Sequence, residues 1–353
     1  MERKKSRLID RWWLLLLPIA VFVVAGQTGG TVAASPAGEF PAFIPMPGVT
    51  PRGVAVDKIG NVYVSVGEGI GVNEHIQIRK FTPAGEPLFS VEIGQGTIGG
   101  LAATAKGDLY VAMAAGLNKG VYRMDRKGNI ELLPGSDQIF FANGLAFDDR
   151  GTLYVAESLS MDLPPVYGPG GIWRIPRGGQ AELCLRDDLL GASDLSPLPV
   201  PLPAPIGANG IAYYHGNLYV TNTAKGTVLR ITLGPDGSVG EPELWTTLQE
   251  IPGSPLARNF PVVMGDGIAL DVHGNLYVAV LTRSAVVRIN LLDKSQETVA
   301  AIPLTPFDFP ASLVFGTGKG ERTNLFVTNL GMGGWAGPSL VKIDAGVPGR
   351  PLH

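Results

Sequence analysis

The sequence holds a single cysteine, Cys184, in 353 residues. No disulfide can close within the chain, and a thiolate metal cluster is ruled out. Set in the apolar stretch AELCL, the thiol reads as a small buried hydrophobe. Histidine is nearly as scarce, with four residues. Charged residues are 17% of the chain and the net charge is −3. No basic stripe follows the N-terminus, which argues against nucleic acid as a partner. Beyond residue 25 no apolar run approaches the roughly 20 residues of a spanning helix. Neither G-x-S-x-G nor G-x-x-x-x-G-K-[ST] occurs, so a serine nucleophile elbow and a phosphate-cradling loop are both missing.

Glycine and proline are plentiful, at 48 and 29 residues. Together they are about 22% of the chain, against roughly 12% in average usage. Helices tolerate that poorly, since Gly costs about 1 kcal/mol and Pro about 3 in a helix interior. With 45% apolar residues the chain is not of disordered composition, and glycine has no period of three, which excludes collagen. Many short strands joined by many turns remain.

The first 34 residues form a separate unit. The basic opening MERKKSRLIDR precedes WWLLLLPIAVFVVA, 14 residues from Trp12 to Ala25. That length suits a signal peptide and falls short of a membrane span. Small residues follow, and TVAAS offers cleavage after Ala34. The reading is an exported protein, periplasmic or extracellular, with no stable membrane partner once the signal is removed; an uncleaved anchor is the alternative. Without this segment the net charge is −6, because it carries five basic and two acidic residues.

Six copies of one unit fill the rest. PRGVAVDKIGNVYVSV (51–66) recurs as GGLAATAKGDLYVAM (99–113), ANGLAFDDRGTLYVAE (142–157), ANGIAYYHGNLYVTN (208–222), GDGIALDVHGNLYVAV (265–280) and PASLVFGTGKGERTNLFVTN (310–329). Each is a short strand, a Gly-containing turn and a second strand with an aromatic at a fixed place: Tyr63, Tyr110, Tyr154, Tyr219, Tyr277 and Phe326. A third strand with a basic or polar end follows, such as TVLRITL (227–233), and in five copies a fourth, such as PELWTTL (242–248). Four strands per repeat predict an all-β, six-bladed β-propeller over residues 40–346, with 347–353 a short C-terminal tail. The last blade lacks its outermost strand, and PAFIPMP (41–47) is expected to pair there and close the ring. Two insertions, 158–171 and 187–208, fall on the face where the innermost strands begin, as a binding rim or as stiff decoration.

The residue before the glycine that opens each innermost strand is expected at the central channel. In order these residues are Arg52, Gly99, Asn143, Asn209, Asp266 and Ala311. Two amides and a carboxylate converging on an axis suit a hard cation such as calcium. Asn-Gly and Asp-Gly are also ordinary turn formers, and spacing alone leaves both readings open.

These repeats, and GTVLRITLGPDGSVGEPELW (226–245) in particular, resemble the regucalcin/gluconolactonase (SMP-30-like) family and related calcium-dependent six-bladed phosphotriesterases and lactonases. NHL-repeat and strictosidine-synthase-like proteins share much of the blade pattern. In metal-dependent members a Glu opens the first blade, followed by Asn, Asn and Asp. The resemblance therefore implies a divalent metal, calcium by preference, on Asn143, Asn209 and Asp266, with Asp266 doubling as the catalytic base. Arg52 departs from the pattern. It either turns away while Glu68 or Glu74 supplies the missing carboxylate, bridges to Asp266 in place of a metal, or binds an anionic ligand.

Further candidates lie on the same face. His75 is a possible catalytic base, and His215 and His273 read as turn residues. Arg52, Asn143, Asn222, Asn329 and Trp335 are candidate contacts to a small molecule in the channel. Glu157 occupies the place of Asn222 in blade three. Tyr167, Phe307, Asp308 and Phe309 are candidates to line the mouth. The function expected is an exported, metal-dependent hydrolase of lactones or related esters. The alternatives are a non-catalytic NHL-like binding or scaffold propeller, and a metal-free strictosidine-synthase-like or lyase enzyme.

Overall fold

A computed structural model describes residues 43–68, 74–160, 168–192 and 206–352. Residues 1–34, where a signal peptide is expected, Tyr167 and most of the Pro-rich insertion lie outside the described residues. Within them the regular structure is strand, apart from two short 3-10 helices. No helix among the described residues is long and apolar enough to cross a membrane.

Each repeat forms an antiparallel hairpin, and the turn chemistry explains why. In the first, Thr50–Val56 pairs with Val62–Glu68. Asp57 organises the turn: its Oδ1 accepts the N–H of Ile59 at 3.1 Å and of Asn61 at 2.9 Å, and its Oδ2 accepts the Asn61 amide at 2.8 Å. Gly60 supplies the left-handed step, with φ 94°. Asp271 repeats the arrangement with His273 and Asn275. His273 is therefore a turn residue, as is His215, whose φ is 44°.

Within a sheet the strands run outward in chain order, as in Ala208–Tyr214, Asn217–Asn222, Thr227–Leu233 and Val239–Thr247. The expectation of six separate four-stranded blades needs correcting. Four sheets have four strands and a fifth has seven. Its cause is Pro87–Ala103, one continuous strand of 17 residues. Its first part pairs with Glu74–Phe81 and its last part with Leu109–Ala115, so hydrogen bonding passes from one repeat to the next without a turn. The predicted closure is present. Ile44–Pro45 pairs with Ser339–Asp344 through Ile44 opposite Leu340 and Pro45 opposite Ser339.

The innermost strands form a ring. Thr50–Val56, the last part of Pro87–Ala103, Ala142–Phe147, Ala208–Tyr214, Gly265–Leu270 and Pro310–Phe315 each contact the next, and the last contacts the first. The Thr328 hydroxyl donates to the Arg52 carbonyl across that seam. The architecture is all-β and propeller-like, with its core between neighbouring sheets. Tyr219, for example, meets Trp245 edge-on at 5.2 Å in a cluster that includes Leu276, Val278 and Val287.

The C-terminal segment, expected as a short tail, packs against the ring. Gly349 bridges Asp271, and the Arg350 N–H donates to the Leu270 carbonyl at 3.0 Å. The Arg350 guanidinium donates to the Tyr213 carbonyl at 2.9 Å, pairs with Asp149 at 3.3 Å and lies over the rings of Tyr213 and Tyr214. Tyr213 and Leu270 stand at the far ends of their strands from Asn209 and Asp266, so Arg350, Pro351 and Leu352 line the opposite end of the channel.

Candidate functional site

All six inner strands slip register against their partners at the same point. Arg52 and Gly53 together oppose one residue, Ser65, because Pro51 pairs with Val66 and Val54 with Val64. Asn209 and Gly210 likewise oppose Thr221, and Asp266 and Gly267 oppose Ala279. Asn143 with Gly144, Gly99 with Gly100 and Ala311 with Ser312 complete the set. An extra residue of this kind re-aims a side chain out of the pleat, here toward the axis. The turn-former reading of Asn-Gly and Asp-Gly therefore falls. Gly144 and Gly210 lack a left-handed φ. They are needed for close approach: a Cβ on Gly144 would stand 2.2 Å from the Asn209 carbonyl oxygen, and one on Gly210 2.4 Å from that of Asp266.

The six strands enclose a cavity of about 320 Å³. Arg52, Asn143, Asn209 and Asp266 all line it, together with the apolar Phe141, Ile206 and Leu330. Asn143, Asn209 and Asp266 come from three adjacent inner strands, whereas Arg52 stands between the strands that carry Gly99 and Ala311.

Two hydroxyls that the sequence reading missed fix the amides. The Asn143 Nδ2 donates to Ser158 Oγ at 3.1 Å, and Ser158 Oγ donates to the Ala208 carbonyl at 2.6 Å. In the next sheet Asn209 Nδ2 donates to Thr223 Oγ1 at 2.9 Å, and Thr223 Oγ1 to the Gly265 carbonyl at 2.7 Å. A hydroxyl has one proton. Because it is committed to a carbonyl, the oxygen must accept from the amide, which sets the flip and leaves each Oδ1 to the channel. The signal was a Ser or Thr one place beyond a second strand, in AES and TNT, and its meaning depends on a neighbour from another repeat.

Asp266 accepts a hydrogen bond from Asn209, and its carboxyl is pushed up to about 7. Burial within the ring is the main cause, and the nearby Arg52 charge and the Asn209 hydrogen bond offset it only in part. Arg52 Nη2 donates to Glu74 Oε1 at 3.1 Å, while Arg52 Nε and Glu74 Oε2 are buried without a hydrogen-bond partner. Glu74 is raised above the usual carboxylate range, because its desolvation outweighs the pull of Arg52. Its Oε2 is seated over Gly67, where a Cβ would meet it at 2.1 Å. Glu68 is turned away and pairs with Arg79 at 3.0 Å.

Several candidates do not reach the channel. His75 has an exposed side chain that faces Glu92 and Gln95, each at 3.4 Å, on the outer part of its sheet. Asn222 is fully buried: its amide donates to the carbonyls of Leu189 and Gly191 at 2.8 and 2.9 Å, and its Oδ1 accepts from Lys225 N. Asn329 is equally buried, binding the Pro306 carbonyl, Ser339 and the Asp308 N–H. Glu157 holds Phe140 N–H, Trp173 Nε1 and Arg186. These three polar strand ends anchor incoming loops, as buried polar groups require. Buried Asp308 gathers the N–H groups of Gly333, Trp335, Ala336 and Gly337 and so shapes the last loop. Trp335 donates Nε1 to the Phe307 carbonyl at 2.6 Å and remains 47% exposed outside the channel. Cys184 lies half-buried, with burial pushing its thiol up to about 11, far from thiolate reactivity.

Among the described residues no group of three or more His, Cys, Asp or Glu comes together to hold a metal. The oxygen set of Asn143, Asn209 and Asp266 has a different composition, two amides and one carboxylate. It fits a hard cation in donor type, with each amide oxygen left to the channel, while the second N–H of Asn209 is spent on Asp266. The Arg52 charge opposes such an ion, and its pairing with Glu74 offsets that charge in part.

A family model described as the SMP-30/Gluconolactonase/LRE-like region matches residues 206–331. No curated protein matches the chain in sequence. Among solved structures, a luciferin-regenerating enzyme aligns at TM-score 0.60 and 14% identity, covering 86% of this chain and 94% of its own. A calcium-binding protein, regucalcin, from Agrobacterium tumefaciens aligns at 0.58 and 15%, covering 89% and 97%. A putative gluconolactonase aligns at 0.54 and 15%, covering 87% and 96%. At such identities these likenesses speak for the fold. The matched stretch contains Asn209 and Asp266, and the chain thus carries an SMP-30/gluconolactonase/LRE-like region within a propeller-like fold, the family that its repeats resemble.

Proposed function

We propose that the chain is an exported six-bladed propeller, its seven-stranded sheet counting as two blades, that hydrolyses lactones or related esters in its central channel. The observation that carries this reading is the convergence of two oriented amide oxygens and one carboxylate, from adjacent strand bulges, on one cavity. Asn143, Asn209 and Asp266 would hold a divalent ion, calcium by preference. When bound, such an ion supplies Lewis-acid polarisation of a carbonyl and activation of water. The chain's residues do the rest. The hydroxyls of Ser158 and Thr223 keep the amides aimed, and Phe141, Ile206 and Leu330 limit water around the reacting group. Asp266 exchanges a proton near neutral pH in the metal-free protein, which suits a base working there.

Asp266→Ala is expected to abolish both calcium retention and lactone hydrolysis, read by elemental analysis and by a pH-stat assay on a panel of lactones. Metal retained at wild-type stoichiometry in that variant removes the site. A second reading, a non-catalytic NHL-like binding propeller, is favoured by the Arg52–Glu74 pair and by the absence of histidine from the channel lining among the described residues. A metal-free lyase or strictosidine-synthase-like enzyme fits that lining too. Purified protein without metal, and with the same melting temperature in calcium and in EDTA, favours these over the hydrolase.

A further inference from the structure

Among the described residues Arg52 is the one cation on the site side of the channel, and the protein uses only part of it. Nη2 donates to Glu74 at 3.1 Å, whereas Nε is buried with no acceptor. Nε itself is closed to solvent, at a cost of about 1–3 kcal/mol, but the side chain keeps 32% of its surface exposed and lies on the cavity wall. The inner strands on either side present Gly99 and Ala311 at the corresponding points, and neither of these residues has a side chain that can accept from the guanidinium. On the other arc stand the acceptor oxygens of Asn143, Asn209 and Asp266. The apolar Phe141, Ile206 and Leu330 line the same cavity.

We propose that Arg52 is a carboxylate-binding residue, and that the molecule held in the channel is an apolar-bodied hydroxy acid. Its carboxylate lies on the guanidinium, its hydroxyl on the amide and Asp266 arc, and its hydrocarbon against Phe141, Ile206 and Leu330. The identity of this ligand rests on the hydrolase reading. Water adding across the acyl C–O bond of a lactone gives one carboxylic acid and one alcohol in the same molecule, and the acid loses its proton at neutral pH. The two arcs are complementary to those two groups. Arg52 thereby receives the charge that appears only as the ring opens.

The test is calorimetric binding at pH 8, with and without EDTA, of 4-hydroxyoctanoate, its neutral amide 4-hydroxyoctanamide and the short 4-hydroxybutyrate. Wild-type protein is expected to bind the octanoate at least tenfold more tightly than either of the others. In Arg52→Gln the acid should fall to the level of the amide, while the amide is unchanged. Arg52→Gln/Glu74→Gln, which leaves no unpaired buried charge, should behave like the single variant and guards against a folding artefact, as does a near-ultraviolet dichroism spectrum. Arg52→Lys should recover part of the preference. Equal binding of acid and amide by wild type, no binding of the acid, or an undiminished preference in a folded Arg52→Gln protein overturns the proposal. The two readings separate cleanly. Acid preference without hydrolysis of the matching lactone leaves the carboxylate site and removes the hydrolase; hydrolysis without acid preference does the reverse.

Discussion

Each end of the channel carries an arginine, and the two live under opposite rules. Arg350, at the far end, has its guanidinium on a backbone carbonyl and a carboxylate, with two tyrosine rings beneath it. Arg52, at the site end, has one carboxylate that is itself raised by burial, and an unpartnered Nε. A pair whose carboxylate stays above its ordinary value gains less from attraction than it loses in desolvation, a known property of buried ion pairs. The far end is therefore built for stability. The site end holds charge in reserve, as binding sites do.

That contrast can be broken in order of effect. Arg350→Ala should lower stability most, by about 2 kcal/mol, from the lost charged hydrogen bond and ring contacts. By comparison, Arg52→Met/Glu74→Leu should change it by about 1 kcal/mol or less, in either direction. Urea unfolding of both proteins reads this, and a larger loss in the second would erase the distinction between the ends. A smaller effect is expected from pH. The Asp266 carboxyl rises from 3.8 to about 7 on folding, so between those values the folded state binds more protons than the unfolded one. Its contribution should favour the fold as pH falls from about 7 toward 4 and work against it above 7. Asp266→Asn should flatten the corresponding part of the urea midpoint profile, and calcium should oppose the acid-side gain. The smallest effect belongs to His75→Ala. With an exposed side chain and only long contacts, it should move stability by about 0.5 kcal/mol or less and leave lactone hydrolysis at the wild-type rate.

The sequence made the hairpins legible because glycine and Asx residues mark turns within a few positions of one another. The closing strand at 41–47 was legible by elimination, since one repeat lacked a partner. The channel positions of Arg52, Asn143, Asn209 and Asp266 followed from repeat alignment, and the structure places all four on one cavity. What stayed hidden depends on contacts between repeats. Asn222 and Asn329 look like Asn209 in composition, yet they lie at the other strand's end and are consumed by loop carbonyls. Glu74 was visible as a spare carboxylate, but its seat over Gly67 and its pairing with Arg52 cross a gap of 22 residues. Arg350 carried no local signal, because its partners Tyr213, Tyr214 and Asp149 lie more than a hundred residues earlier.

The repeated bulge has one further consequence. At each of the six places a pair of adjacent residues divides two duties: the second, mostly glycine, fits the neighbouring backbone, while the first faces the axis. The lumen is thus spelled by six letters, here Arg, Gly, Asn, Asn, Asp and Ala. The letters that carry a side chain can be rewritten without disturbing the grammar that closes the ring, whereas Gly99 is held fixed, since a Cβ there would stand 2.7 Å from the Ala142 carbonyl oxygen. Such separation lets one scaffold trade a carboxylate for a guanidinium at a single letter and change what it holds while keeping its shape.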